Sequence, residues 1–595
     1  MIIAVASGKG GTGKTLVATN LASVILNATY ADCDVEEPNG HLFLSPRIDH
    51  ETLIHIQAPK IDPDLCTGCG ECARNCAFNA LAVVKGKVLV FSELCHACGV
   101  CTEVCPESAI TEEPHEMGKV RVGTFVDSRR FVDGLLNIGE LRSAGVIEKV
   151  VGEIKEDGLV LIDAPPGTSC AAVAACSRAD AALLITEPTP FGLHDLKLAH
   201  QMLNGLSVPH AVVINRADIG DEAVERYCEA EGLTVLTKIP FDRRIAELYA
   251  EGQMISDYPE YRMIFVGLAE KLPYPKNFTL NPRIKETDEE LGPVRTVQES
   301  GSSSRSLVVL SGKGGTGKTM LTACLAASWE DKAAADADVD AANLGILLEG
   351  ETTEEIPFSS GNQATIDPEL CIGCGFCLDC HFSAISMIDG KAIVETSRCE
   401  GCGLCGILCP VDAITLRRPR SGSITVQSTP YSPLVSTRLA PGAEASGRLV
   451  TEIRKHAESL ASREKISNIL IDGSPGIGCP VNAALTGTQG VLLVAEPSRS
   501  SLHDLERIVE LIDFFSIPKW VIINKHDLSP SVTREIEQFC RDKGVKVIGE
   551  IPFDRSITQS IVRSRIPSED ADCESAQSLK RVCENVIGEF EKESK

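Results

Sequence analysis

Two eight-residue segments have the composition of a phosphate cradle. GKGGTGKT runs from Gly8 to Thr15 and again from Gly312 to Thr319, each time after an apolar run. Gly8, Gly10, Gly11, Thr12 and Gly13, like Gly312, Gly314, Gly315, Thr316 and Gly317, present successive backbone N–H groups that curl around phosphate oxygens. Lys14 and Lys318 add point charge, and Thr15 and Thr319 offer a hydroxyl to Mg2+. A glycine-rich turn without ligand is the alternative; two copies, each between a strand and a helix, argue against it.

The second chemistry is metal binding. Of 25 cysteines, sixteen fall into four tight runs. Cys66, Cys69, Cys72 and Cys76 read C-x2-C-x2-C-x3-C, as do Cys95, Cys98, Cys101 and Cys105, which Pro106 follows. Cys399, Cys402, Cys405 and Cys409 repeat the pattern with Pro410. Cys371, Cys374, Cys377 and Cys380 are one residue short in the last gap, which moves Cys380 along its helical turn. Structural zinc prefers two separated C-x2-C pairs, so triplets plus one point to iron-sulfur clusters.

Two further cysteines stand apart. DAPPGTSC places Cys170 seven residues after Asp163, and DGSPGIGC does the same for Cys479 and Asp472. They are either ligands or small apolar residues near a helix start. Cys33, Cys176, Cys228, Cys324, Cys540, Cys573 and Cys583 have no such placement and read as core. His194 and His503, in the repeated LHDL, read as packing or capping residues.

The elements that position these residues form a tandem repeat. VASGKGGTGKT recurs as VLSGKGGTGKT and CGVCTEVCPESAIT as CGLCGILCPVDAIT, both 304 residues on. LIDAPPG recurs as LIDGSPG and VVINRAD as VIINKHD, both at 309. Each copy alternates buried Val/Ile/Leu/Ala strands with helices, which predicts an α/β fold, a doubly wound parallel sheet with sites at the strands' carboxyl ends. The cysteine blocks interrupt each copy. Residues 1–56 and 119–275 form the first α/β domain around an insertion at 57–118, and residues 276–305 a polar Gly/Ser linker. Residues 306–361 and 417–595 form the second domain around an insertion at 362–416.

A net charge of −26 disfavours nucleic acid and anionic membrane surfaces, which need a basic face. The start MIIAVASGKGG reads as a first strand, not a leader, and no run of apolar residues is long enough to span a bilayer. The expected location is cytoplasmic.

With its extra lysines Lys9 and Lys313, the motif KGGTGKT resembles the deviant Walker A ATPases: MinD and ParA, the Mrp-type cluster carriers and the nitrogenase iron protein. The resemblance implies two P-loop ATPase domains in an intramolecular pseudodimer, a monomer sandwiching two Mg-ATP. Lys9 would serve the second half's ATP and Lys313 the first half's. Asp34 and Asp338 match the acid that orients the attacking water, and Asp163 and Asp472 the acid behind the magnesium shell. Asn215, Asp218, Asn524 and Asp527 match the base-recognition stretch. Each acid alone is equally a helix cap. DGSPGIG departs from DAPPGTS, so the two sites need not hydrolyse equally.

The cysteine blocks resemble the bacterial two-cluster ferredoxin, an α+β module with two [4Fe-4S] clusters. That resemblance implies the sets Cys66, Cys69, Cys72 with Cys105 and Cys95, Cys98, Cys101 with Cys76, and four clusters in the chain. Cys170 and Cys479 stand where the nitrogenase iron protein has one ligand of its axial cluster. Each half would contribute one thiolate to an additional bridging cluster, whose other positions are open. The expected function is ATP-gated electron transfer to a redox partner. The alternatives are a metallocluster carrier with an apo-metalloprotein acceptor and a MinD/ParA-like positioning ATPase. Relatives with ferredoxin insertions add an orange-protein-type partner to the expectations.

Overall fold

The structure is a computed structural model that describes residues 1–155, 158–272, 278–279, 304–339, 341–439 and 446–593. Most of the expected linker, residues 276–277 and 280–303, lies outside the described residues.

The strand Ile2–Ala6 is a short apolar run buried on both faces, as the centre of a parallel sheet requires. It lies between Val160–Asp163 and Ala181–Thr186, parallel to both. Outward on one side follow His210–Ile214 and Val235–Lys238; on the other follow Thr29–Asp32 and Arg129–Leu136. All seven run parallel. Helices cover both faces: Leu16, Leu21 and Phe265 pack on one side, Val146, Ile147, Ala172 and Leu203 on the other. Each buried Val, Leu, Ile or Phe side chain among them contributes about 1.5–3 kcal/mol. The second half repeats this around Arg305–Ser311, flanked by Asn468–Pro475 and Gly490–Ala495.

Each sheet ends in an antiparallel extension that carries the cysteine block. In the first half, Ile110–Phe125 pairs with Arg129–Leu136 and then with Arg47–Ile61. This long ribbon closes at the Ile61–Ile110 pair, where the cysteine run begins. In the second half the support is split. Glu351–Phe358 and Gly422–Ser428 extend the main sheet, while Gln363–Ile366 and Ile414–Arg417 pair separately beneath the block. Within each block a hairpin, Leu81–Val84 with Lys87–Val90 and Ile385–Ile388 with Lys391–Val394, separates the two cysteine runs. Among the described residues no helix is long and apolar enough to cross a membrane.

Candidate functional site

The two phosphate loops face each other. A Cβ placed on Gly10 would lie 2.6 Å from the Cα of Gly314, so the loops touch backbone to backbone where no side chain fits. Gly13 and Gly317, with φ of 100° and 95°, take the left-handed conformation that aims the first helical N–H groups into the loop. Asn215 and Asn524 brace the loops by donating to the carbonyls of Thr12 and Thr316, at 2.8 and 2.7 Å.

Acids converge on both loops from the strand ends. Thr319 and Lys318 reach Asp472 at 2.7 and 3.0 Å, and Lys318 reaches Asp338 at 3.3 Å. At the first loop the Tyr30 hydroxyl donates to Asp163 at 3.0 Å, while the other Asp163 oxygen is buried with no hydrogen-bond partner among the described residues. Burial pushes the Asp34 carboxyl up to about 8, against the pull of Lys14. Burial likewise raises Asp338, against Lys318 and Lys9.

Two acid pairs escaped sequence reasoning. Asp32 and Asp336 accept the N–H groups of Asp34 and Asp338 at 3.1 and 3.2 Å, and those of Gly40 and Leu344 at 2.8 Å each. They shape the loops carrying Asp34 and Asp338, and the repeated D-x-D was their signal. Asp195 and Asp504 sit at the seam between the halves: Asn343 donates to Asp195 at 3.0 Å and Asn39 to Asp504 at 3.1 Å. The repeated LHDL pointed to them, through the aspartate and not the histidine.

The extra lysines cross the seam. Lys313 lines a cavity of about 170 Å3 with the first half's Lys14, Thr15 and Asp34. Lys9 lines another with the second half's Lys318, Thr319 and Asp338. Asp218 and Asp527 are committed locally, accepting the N–H groups of Phe241 and Phe553 at 2.5 and 2.6 Å. They also face the opposite half's arginines, Asp527 with Arg243 at 2.9 Å and Asp218 with Arg555 at 4.0 Å. Phe241 and Phe553 stack across the seam at 5.8 Å.

The sixteen clustered cysteines gather into quartets. Cys66, Cys69, Cys72 and Cys105 line one small cavity, Cys371, Cys374, Cys377 and Cys409 a second, and Cys380, Cys399, Cys402 and Cys405 a third. Cys76, Cys95 and Cys98 surround Cys101, whose thiol burial pushes up to about 12. Backbone N–H groups of Ala80, Ala109 and Ala413 donate to the sulfurs of Cys76, Cys105 and Cys409 at 3.3 Å. The short gap before Cys380 replaces the helix Glu71–Asn75 of the first half by the 3-10 turn Phe376–Leu378. Among the described residues no three His, Cys, Asp or Glu side chains close around a single metal ion.

The two blocks dock on each other. The Cys98 and Cys402 side chains face each other, His96 meets Glu400 at 3.0 Å, and His381 meets the Ala97 carbonyl at 2.7 Å. Cys170 and Cys479 open the helices Cys170–Cys176 and Cys479–Leu485 and line one cavity of about 1120 Å3. His96, Glu400, Lys318 and Glu36 line the same cavity. The Cys479 thiol donates to the Leu141 carbonyl of the first half at 3.3 Å. The remaining seven cysteines are buried.

The family model for the CobQ/CobB/MinD/ParA nucleotide binding domain matches residues 3–255 and again 307–567. An uncharacterised protein of Methanocaldococcus jannaschii is 32% identical over 278 residues, 44% of this chain and 94% of the relative. An iron-sulfur cluster carrier protein of Pyrococcus horikoshii is 26% identical over 45% of this chain and 84% of its own length. The cell division ATPase MinD of Pyrococcus furiosus superposes over 48% of this chain and 98% of its own, with 18% identity and a TM-score of 0.29.

Proposed function

The chain belongs to the CobQ/CobB/MinD/ParA nucleotide-binding family through one domain in each half, so it is a P-loop ATPase, and we propose that its nucleotide state gates electron transfer through an iron-sulfur site between the halves. The observation that carries this reading is the shared cavity. It is lined by Cys170 and Cys479, by Asp34 and Asp338 near the nucleotides, and by His96 and Glu400 beside the inner quartets.

The residues present fit the groups the reading requires. Four thiolate quartets, with N–H groups aimed at their sulfurs, suit four [4Fe-4S] clusters in ferredoxin-like insertions, and a cube keeps its ligands too far apart to close on one ion. The unpartnered Asp163 oxygen suits the water shell of Mg2+, which Thr15, Thr319, Asp163 and Asp472 would hold. When bound, the clusters would supply one-electron storage. The chain's own part is positional: the P-loops hold ATP, Asp34 and Asp338 orient water, and loop movement after Asp163 and Asp472 shifts Cys170 and Cys479. The crossing lysines and abutting loops support a monomeric pseudodimer that sandwiches two Mg-ATP. The receiving protein is a redox partner, with an orange-protein-type metallocluster protein as one form.

The test is iron per chain, with EPR spectra recorded with and without a nonhydrolysable ATP analogue, in wild type and Cys170→Ser/Cys479→Ser. The reading expects more than the roughly sixteen irons of four cubanes, an analogue-sensitive signal, and loss of both excess iron and that signal in the double variant. A double variant unchanged in iron and spectrum would sink it.

A second reading is favoured by relatives called iron-sulfur cluster carrier proteins. In it the cluster between Cys170 and Cys479 is cargo for an apo-metalloprotein, and transfer of iron to an apo-acceptor on ATP hydrolysis would select it.

A further inference from the structure

The two lysines that cross the seam meet opposite surroundings. Lys313 is held by protein: its ammonium donates to the Ser500 hydroxyl at 2.7 Å and the Tyr249 hydroxyl at 3.2 Å. Glu496 lies 3.7 Å away, and the Tyr249 ring 4.7 Å beneath. Lys9 has none of these acceptors. Its ammonium is buried without a hydrogen-bond partner among the described residues, 5.4 Å from the centre of the Phe191 ring.

The difference is written in the repeat. EPTPFGLHDL and EPSRSSLHDL align Phe191 with Ser500, and IPFDRRIAELY and IPFDRSITQSI align Tyr249 with Ile561. Two hydroxyls around Lys313 thus correspond to two apolar side chains on the Lys9 side, and both Phe191 and Ile561 line the cavity that Lys9 shares with Lys318 and Thr319. Glu187 and its counterpart Glu496 are each paired by the basic residue after their neighbouring strand, Arg216 and Lys525, both at 2.8 Å, and only Glu496 also lies within 4 Å of its lysine.

An ammonium buried without a hydrogen-bond partner is costly until an anion arrives, so phosphate oxygens entering the second site meet a Lys9 with no protein hydrogen bonds to release. Lys313 must first release Ser500, Tyr249 and Glu496, and that loss offsets what it gains from phosphate. We propose that the two nucleotide sites work at unequal rates. The second half's P-loop, completed by Lys9, is the fast site; the first half's, facing a parked Lys313, is the slow one. In either site the same hydrolysis runs. Water oriented by Asp338 or Asp34 attacks the γ-phosphorus, the bond to the β,γ-bridging oxygen breaks, ADP leaves with that oxygen, and the water's proton passes to the phosphate product or solvent. What differs is how much the trans lysine stabilises the charge that shifts onto the bridging oxygen.

The experiment uses the full chain loaded with ATP in the absence of Mg2+ and started by adding Mg2+, with phosphate followed by rapid quench. Wild type is expected to release phosphate in two phases of equal amplitude, about tenfold or more apart in rate. Tyr249→Ile/Ser500→Phe gives Lys313 the surroundings of Lys9 and is expected to convert the slow phase to a fast one. Phe191→Ser/Ile561→Tyr does the reverse and is expected to remove the fast phase. The pairs push in opposite directions, so failure of one variant to fold leaves the other decisive. A single phase in wild type, or two phases that neither pair alters, overturns the proposal. No metal cluster enters the readout, so its failure leaves the redox reading standing.

Discussion

Cys98 and Cys402 occupy corresponding positions in the two halves, and their side chains face each other across the seam. Each belongs to the inner quartet of its block, so the metal sites of the two halves meet at this point. His96 and Glu400, also counterparts, clamp the contact at 3.0 Å, and Phe78 stacks on His96 at 3.7 Å. With clusters in place, two reduced inner centres would sense each other's spin. Glu400→Ala is expected to leave iron per chain at the wild-type value while narrowing the EPR signature of that interaction. An unaltered spectrum would show that the clamp does not set the distance between the inner centres.

The contact between Gly10 and Gly314 makes a second prediction. A Cβ on Gly314 would lie 2.5 Å from the Cα of Gly10, with backbone on both sides and nothing flexible to give way. Gly314→Val should push the loops apart. Turnover is expected to fall by about tenfold or more, since a misplacement near 1 Å at a reacting centre costs on that order or beyond. Each half keeps its own core, so far-UV circular dichroism should be unchanged. Wild-type turnover in this variant would mean that the loops need not touch for hydrolysis.

How much of this was legible beforehand follows from the range of each interaction. The cysteine quartets and the P-loops are set by local spacing, and the sequence carries spacing openly. Crossing of the fourth cysteine came from resemblance to a known module, and the cavities gather the residues in that pairing. The clamp of His96 on Glu400 had no signal, because the two residues differ in type and meet only once the halves are docked. Asp218 and Asp527 came to the base-recognition stretch through the family resemblance; their hydrogen bonds from the Phe241 and Phe553 N–H groups and their approach to Arg243 and Arg555 across the seam are contacts that no motif announces. Asp32 and Asp336 were visible as repeated aspartates, but their task, orienting a neighbouring loop through its N–H groups, belongs to backbone geometry.

The buried acids predict how stability depends on pH. Asp34 and Asp336 are each pushed up to about 8, first by burial, with Lys14 opposing at Asp34 and the Leu344 N–H and Lys318 opposing at Asp336. Asp163, Glu36 and Asp504 face Asp34, and Asp472 and Asp338 face Asp336, all adding to the rise. A carboxyl near 4 in the unfolded chain and near 8 in the folded one binds more protons when folded between those values. Its contribution is therefore complete below about pH 4 and is lost as pH climbs toward 8. The nucleotide-free protein should melt at a lower temperature at pH 8.5 than at pH 6.5, and Asp34→Asn should flatten that slope. Calorimetry across this range checks it; a melting temperature that rises with pH would contradict the assignment.

Glu36 offers a route from nucleotide to thiol. It lies two residues beyond Asp34 and packs on the loop before Cys479, so close that a Cβ on Gly478 would fall 2.6 Å from its carboxylate. Gly478 directly precedes Cys479, whose thiol is itself held by the Leu141 carbonyl of the first half. Movement of the first half's Asp34 loop would therefore pull on the second half's cysteine, across the seam. In the second half Ala341 stands where the first has Glu37, so that side has one carboxylate fewer for such a link. Glu36→Ala removes the carboxylate that packs against Gly478. The expected result is that Cys479 in the metal-free protein reacts with a thiol reagent at a rate no longer sensitive to ATP, while Cys170 is unaffected. Glu36→Gln, which keeps an acceptor oxygen, should restore most of the sensitivity. If Cys479 still responds to ATP in Glu36→Ala, the signal reaches it by its own half's loop.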